Sequence, residues 1–370
     1  MVEHFFPFVG GVSTVFEELG KQLVARGHEV TVVTVRLPGT PAREVWQGMT
    51  VERVNTPPFS RRYWFTIAAL PTLWRLARTS DIIHTTTYNA ALPAWLVARL
   101  QRKPVVITVH EVWGKRWLTY PLARPVAWLY QLIERLIVAL PYTAMVTVSD
   151  ATARDLRALR SRPSLRLETI YNGVDQQLFR RLSRESSLRR DQLSLPPGYQ
   201  LLYYGRPGVS KGVEILIKAF TILKKKNQLA DIRLFLLLNQ DPHDRYQAVI
   251  KQIQANQLES IITVHDPVDK NQLPNYLRAA SCVVIPSLAE GFGLSAVEAC
   301  TIGRPLIATT AGSLPEVVFG QVILCPPGQP RALAQAILAA RAGQFKLIPA
   351  KNFTWQRTAQ DYERLYRELL

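Results

Sequence analysis

The chain is poor in the features that mark several whole classes of protein. It has only three cysteines, Cys282, Cys300 and Cys325, in 370 residues. None stands in a C-x-x-C pair and no His/Cys group has zinc spacing, which argues against a disulfide framework or a zinc site. Each cysteine lies in an apolar stretch and reads as a small buried hydrophobe in a reducing compartment. Long hydrophobic runs are missing too. The longest apolar stretch, 136–148, contains Pro141, Tyr142 and Thr143 and falls short of the ~18 residues that suggest a spanning helix. Residues 1–8 lack the basic start and apolar run of a secretory signal. The expectation is a cytoplasmic protein, with the inner face of the cell membrane as a second location.

Acidic residues are scarce beside basic ones. The chain has 28 Asp and Glu against 45 Lys and Arg, a formal net charge of +17. The excess is spread evenly: 21 basic against 13 acidic residues up to Asp175 (+8), and 24 against 15 beyond it (+9). A field of this sign favours phosphates, anionic lipid or nucleic acid. No RRM, KH or helix-turn-helix signature points to nucleic acid. No G-x-G-x-x-G with an acidic residue about 20 positions later points to a dinucleotide dehydrogenase, and no Walker A order is present.

What is present is a globular profile, 48% apolar and 20% charged, on a chain long enough for two domains. Short apolar runs at 29–35, 81–84, 105–109 and 144–148 alternate with helical patterns such as 13–26 and 89–100. The second half repeats this, with strands expected at 200–204, 232–238, 261–264, 282–285 and 306–308. Helices are expected there at 212–226, 245–256, 272–279 and 295–302. Apolar strands separated by helices indicate parallel sheets covered on both faces. The break falls at 176–199, a polar, arginine-rich segment ending Pro196-Pro197-Gly198. The expected domains are 1–175 and 176–353, with a last helix at 354–370 that either packs on the second domain or crosses back to the first. In such sheets ligands bind at the carboxyl ends of the strands.

Four segments could carry chemistry. The run from Gly205 and Arg206 to Lys211 and Gly212 joins a strand to a helix. Its glycines allow close backbone approach, the helix start favours an anion, and two cations stand beside it. That is a diphosphate site in physical terms, although a plain Gly/Lys loop has the same composition. The run Glu290-Gly291-Phe292-Gly293-Leu294 to Glu298 again puts glycines at a helix start, with a carboxylate on each side. Carboxylates accept hydrogen bonds from sugar hydroxyls. In isolation Glu290 reads as a turn residue and Glu298 as a solvated helix residue. His110, with Glu111, follows the strand at 105–109. Gly10 and Gly11 precede a helix, as an entry turn or as a place where backbone meets substrate.

Together these residues resemble the family-4 retaining glycosyltransferases of the GT-B fold. Gly10-Gly11, His110, the run Asn172-Gly173-Val174-Asp175, Gly205-Arg206 with Lys211-Gly212, Glu290 to Glu298, Gly303-Arg304-Pro305 and the turn from Gly312 to Glu316 match in order and spacing. The resemblance implies an α/β chain of two facing Rossmann-like doubly wound domains, the first binding acceptor and the second the nucleotide sugar. Its first strand reads as truncated, since only Met1–His4 precede Phe5-Phe6-Pro7. The resemblance implies that Arg206 and Lys211 hold the donor diphosphate and stabilise the leaving charge. Glu290 would contact the transferred sugar and Glu298 the ribose, and backbone N–H groups of Phe292 to Leu294 would touch sugar or phosphate. His110 would lie beside the reacting sugar, and Gly10 and Gly11 would border the acceptor. It implies a UDP- or GDP-sugar as substrate, no cofactor and no metal, in line with the lack of a D-x-D site at any expected strand end. The hydroxyl acceptor would be lipid-linked or a growing polysaccharide.

Two stretches, 61–78 and 113–135, mix aromatic and basic residues, which suits an anionic membrane surface or an ordinary helix with a basic face. Two other readings stay open: a nucleotide-sugar epimerase of similar fold, and a non-catalytic nucleotide-sugar-binding scaffold.

Overall fold

Strands buried on both faces of a sheet need apolar side chains along their whole length. The computed structural model describes residues 1–120, 122–160, 166–180, 193, 195 and 197–370. Over half of the break read at 176–199, namely 181–192, 194 and 196, lies outside the described residues. The chain divides into two Rossmann-like units, Met1–Gly173 with Phe353–Leu370, and Val174–Asn352.

The first unit begins with α1 (Gly11–Ala25), β1 (Thr31–Val35), β2 (Arg43–Trp46) and β3 (Met49–Val54). β1 and β3 run parallel, Thr31 beside Thr50 through to Val35 beside Val54, and β2 pairs antiparallel at the edge. Helices α2 (Arg61–Ala68) and α3 (Leu70–Ala77) follow, then β4 (Ile83–Thr86), α4 (Ala91–Leu100), β5 (Val105–Val109), α5 (Arg124–Ala139), β6 (Ala144–Thr147), α6 (Asp150–Leu159) and β7 (Arg166–Thr169). β4 to β7 form a parallel sheet in sequence order. β5 and β6 are buried at every position. β4 starts two residues later than expected, because the ladder opens at Ile83, whose N–H donates to Pro104 O.

Residues 1–3 lie between these two sheets. Val2 N donates to Val33 O at 3.1 Å, Val35 N to Glu3 O at 3.1 Å, and the Met1 amine to His84 O at 2.6 Å. This short piece links β1 to β4 with too few ladder bonds to form a strand, while Met1, Val2 and Phe5 are buried. The β2–β3 hairpin is absent from the expected strands. Its turn residues Gln47 and Gly48 both take left-handed backbone, φ 50° and 81°.

The second unit holds β8 (Tyr199–Gly205), α7 (Val213–Lys225), β9 (Ile232–Leu238), α8 (His243–Ala255), β10 (Ile262–His265), α9 (Leu273–Ala279), β11 (Cys282–Ile285), α10 (Leu294–Ile302), β12 (Leu306–Thr309), α11 (Leu314–Val317), β13 (Gly320–Cys325), α12 (Pro330–Arg341) and β14 (Lys346–Ile348). Its sheet order is β10-β9-β8-β11-β12-β13-β14, parallel except for β14. Leu201, Phe220, Leu234, Leu236, Val284 and Ile307 share its core. Cys282, Cys300 and Cys325 are free and buried. The sheet grows one way from β8 to β9 and the other way from β8 to β11. That reversal is the switch point at which open parallel sheets bind ligands.

The final helix, α13 (Trp355–Leu369), belongs to the first unit. Its Ala359, Tyr362 and Leu365 pack with Leu19 and Leu23 of α1 and with Val106, Ala144 and Val146. Thr354 caps it, its hydroxyl accepting from Arg357 N at 3.1 Å. Gly173 lets the chain pass this helix start, since a Cβ there would lie 2.2 Å from Trp355 N. Among the described residues no helix is long and apolar enough to cross a membrane.

Candidate functional site

The sequence-selected residues fall into two groups. Gly205, Arg206, Lys211, Glu290, Gly291, Phe292, Gly293, Leu294 and Glu298 lie in the second unit, and Gly10, Gly11 and His110 in the first.

In the second unit, two loops leave the sheet at adjacent strands. The loop after β8 runs from Gly205 through a 3-10 turn at Val209–Lys211 to Gly212, where α7 begins. Gly212 is left-handed, φ 68°, and a Cβ on it would sit 2.0 Å from Pro286 O just past β11. Only glycine lets the two loops touch there. Leu288 N donates to Ser210 O at 2.6 Å and joins them again.

This contact sets Lys211 against Glu290. Lys211 Nζ donates to both carboxylate oxygens, at 3.1 Å to Oε1 and 2.9 Å to Oε2. Ser287 Oγ donates to Oε2 at 3.1 Å. The Glu290 backbone is fixed as well: its carbonyl accepts from Ser313 N at 3.1 Å and Ser313 Oγ at 3.3 Å. Gly312 presses on it so closely that a Cβ would lie 2.0 Å from Glu290 O. Glu290 is thus a carboxylate held from several sides, its side chain 12% exposed.

Beyond it, α10 starts at Leu294 after Gly293, itself left-handed at φ 88°, and this N-cap glycine has no side chain with which to cap the helix. Its first N–H groups are the kind of donors that favour an anion. Phe292 is buried and Gly291 half-buried.

Glu298 sits on α10 against Tyr204, the penultimate residue of β8. The Tyr204 hydroxyl lies 2.7 Å from Ser295 O and 2.8 Å from Glu298 Oε2. One phenolic proton serves one acceptor at a time, so the tyrosine donates to one of the two. Burial pushes the Glu298 carboxyl up to about 7, against the opposing pull of the Tyr204 hydrogen bond and of Lys270. Arg206 is half-buried, and burial lowers its pKa while the charge of Asp241 raises it.

Sequence reading missed Tyr204, Ser287 and Ser313. A tyrosine near the end of an otherwise buried strand was the available signal for the first.

In the first unit, Gly10 is the extended residue before α1, and Gly11 is exposed, with none of the described residues inside 4 Å of an added Cβ. His110 follows β5, 5.9 Å from the Phe16 ring of α1. Its Nε2 is buried with no hydrogen-bond partner among the described residues, and burial pulls its pKa down to about 4. The loop after His110 is held by a residue that sequence reading passed over. Glu134 of α5 accepts from Trp113 N at 2.9 Å, Gly114 N at 2.7 Å and the Tyr88 hydroxyl at 3.3 Å.

Comparison with known proteins bears on both units. Residues 9–178 match the model of Glycosyltransferase Family 4, and residues 198–342 that of Glycosyl transferases group 1. Among curated relatives, the D-inositol 3-phosphate glycosyltransferase of Jonesia denitrificans is 25% identical, over 96% of this chain and 91% of its own. That of Frankia alni is 27% identical, over 98% and 95%. Among solved structures, sucrose-phosphate synthase from Thermosynechococcus elongatus superposes with a TM-score of 0.82 at 23% identity, covering 98% of this chain and 94% of that one. HepE of Anabaena, in complex with UDP and glucose, gives 0.76 at 19%, covering 99% and 98%.

Proposed function

Because the chain belongs to glycosyltransferase family 4, with the two Rossmann-like domains of the GT-B fold, we propose that it moves a hexose or related sugar from a UDP- or GDP-sugar to a hydroxyl acceptor, with retention of anomeric configuration. The observation that carries this reading is the Lys211–Glu290 pair at the sheet's switch point, beside the uncapped start of α10. At rest each neutralises the other. An arriving diphosphate competes for Lys211, and Glu290 is then released to accept hydrogen bonds from the sugar's hydroxyls.

Breaking the anomeric C–O bond loads charge on the departing phosphate. In this reading Arg206, Lys211 and the α10 N–H groups meet that charge as it develops, and no step calls on a metal. Glu298 takes the ribose hydroxyls in place of Tyr204. Gly10, Gly11 and His110 serve the acceptor side. With its pKa near 4, His110 is neutral at pH 7, and its unpartnered Nε2 suits a hydroxyl better than a phosphate. None of the described residues crowds Gly11, which fits close approach of a substrate there. The acceptor hydroxyl is carried on a lipid-linked or growing glycan at the inner membrane face.

A thermal-shift screen of UDP-, GDP- and ADP-sugars tests the donor assignment. A true donor at a hundredfold excess over its Kd stabilises the chain by ~2.7 kcal/mol. No shift with any of the three contradicts it.

A further inference from the structure

We infer that the outer face of α5, with the neighbouring face of α2, is a docking surface for an anionic lipid bilayer. This rests on the lipid-side acceptor proposed above and names the part of the fold that would meet the membrane.

α5 has two faces with different partners. Ala127, Gln131, Glu134, Ile137 and Val138 are buried inward. On the outer side Val126, Trp128, Leu129, Leu132 and Leu136 are between 38% and 61% exposed. Five large apolar residues on one side of a 16-residue helix make a contiguous patch, not scattered exposure. Trp64 and Ile67 of α2 are exposed in the same way, and the Tyr63 hydroxyl of α2 meets the Tyr130 hydroxyl of α5 at 2.5 Å. Tyr130 in turn stacks on Trp117 at 5.0 Å. The two helices therefore present aromatic rings and aliphatic side chains together.

Charge decides the occupant. Residues 112–133 hold three basic residues and no acidic one, and residues 56–80 hold four arginines and no acidic one; Arg116, Arg62 and Arg75 among them pair with Asp155, Glu3 and Glu52 from outside these stretches. The first acidic residue on α5, Glu134, is turned inward onto the Trp113–Gly114 backbone. Arg124 and Arg135 are exposed beside the apolar residues. An apolar face with basic residues around it, and with tryptophan and tyrosine among its members, matches the headgroup and upper acyl zone of an anionic membrane. Glu134 adds a consequence, because it ties the docking helix to the loop that follows His110.

The experiment is cosedimentation of the full chain with phosphatidylglycerol/phosphatidylcholine vesicles at 0.15 M salt, and with pure phosphatidylcholine vesicles. The chain should pellet with the anionic vesicles and much less with the neutral ones. The double variants Trp128→Glu/Leu132→Glu and Arg124→Glu/Arg135→Glu should each lose at least tenfold in bound fraction. Wild-type chain that stays in the supernatant, or variants that pellet equally well, would overturn the inference. So would a wild-type dimer, seen by light scattering, that Trp128→Glu/Leu132→Glu dissolves while no vesicle binding occurs; the face would then belong to a second copy. Each variant's thermal shift with the nucleotide is measured alongside. A retained shift shows that the chain is folded and keeps this test separate from the donor-site reading.

Discussion

Replacing Lys211 with alanine separates catalysis from stability at this site. In the folded chain its Nζ holds both oxygens of Glu290, whose side chain is 12% exposed against 40% for the lysine. The pair is neither a surface pair, worth ~0–1 kcal/mol, nor a fully buried one whose breaking costs ~3–5 kcal/mol, so Lys211→Ala should cost about 1–2 kcal/mol of stability. That corresponds to a fall in Tm of roughly 3–6 °C for a unit of this size. The effect on turnover should be larger, because the lysine is lost where charge builds on the leaving phosphate. About a hundredfold or more in kcat is expected, ~3 kcal/mol on the barrier. Lys211→Arg should recover only part of this, since a planar guanidinium does not replace a compact ammonium. The assay is release of nucleotide diphosphate from the donor, with melting followed on the same samples. If Lys211→Ala turns over within threefold of wild type, the reasoning about this pair is refuted.

Other outcomes follow from the same geometry. Burial pushes the Glu298 carboxyl up to about 7, against 4.5 for its ordinary value, and ribose hydroxyls donate more strongly to the ionised form, which accepts at both oxygens. Nucleotide affinity should therefore fall, by up to about tenfold per pH unit, as pH drops from 7 towards 5, and Glu298→Gln should flatten that profile in a titration series. The same raised pKa favours the neutral carboxyl in the folded state, so this group's contribution to stability is lost as pH rises through 7. Gly212→Ala places a Cβ 2.0 Å from Pro286 O at a left-handed residue. It should cost ~2 kcal/mol or more and abolish the nucleotide-induced thermal shift, because the two loops no longer close on each other. Glu134→Ala leaves the Trp113 and Gly114 N–H groups without their acceptor. A loss of ~2–3 kcal/mol is expected by denaturant unfolding.

The strands that sequence located best, β5, β9 and β11, are those in which nearly every side chain is buried, so composition alone marks them. The β2–β3 hairpin escaped because an edge strand of alternating exposed and half-buried residues carries no apolar run. Both halves of the candidate site were legible as glycine clusters at strand ends, and as a phosphate grip and a polyol grip of one domain. The ion pair between Lys211 and Glu290 was not legible, because it depends on the adjacency of β8 and β11, with Leu201 beside Cys282. The Tyr204–Glu298 contact depends on that same register across 94 residues. Glu134 was hidden for another reason. One acid on a helix reads as a solvated residue until the fold turns it inward.

The central claim is that the second unit holds a nucleotide sugar and that the chain transfers its sugar with retention. Proton NMR of a UDP- or GDP-hexose incubated with the chain tests it most directly, read before the released sugar mutarotates. The account predicts accumulating free nucleotide diphosphate and a first-formed hexose, free or on acceptor, with the donor's anomeric configuration. A donor left intact, or isomerised at a ring carbon with no nucleotide released, would contradict it.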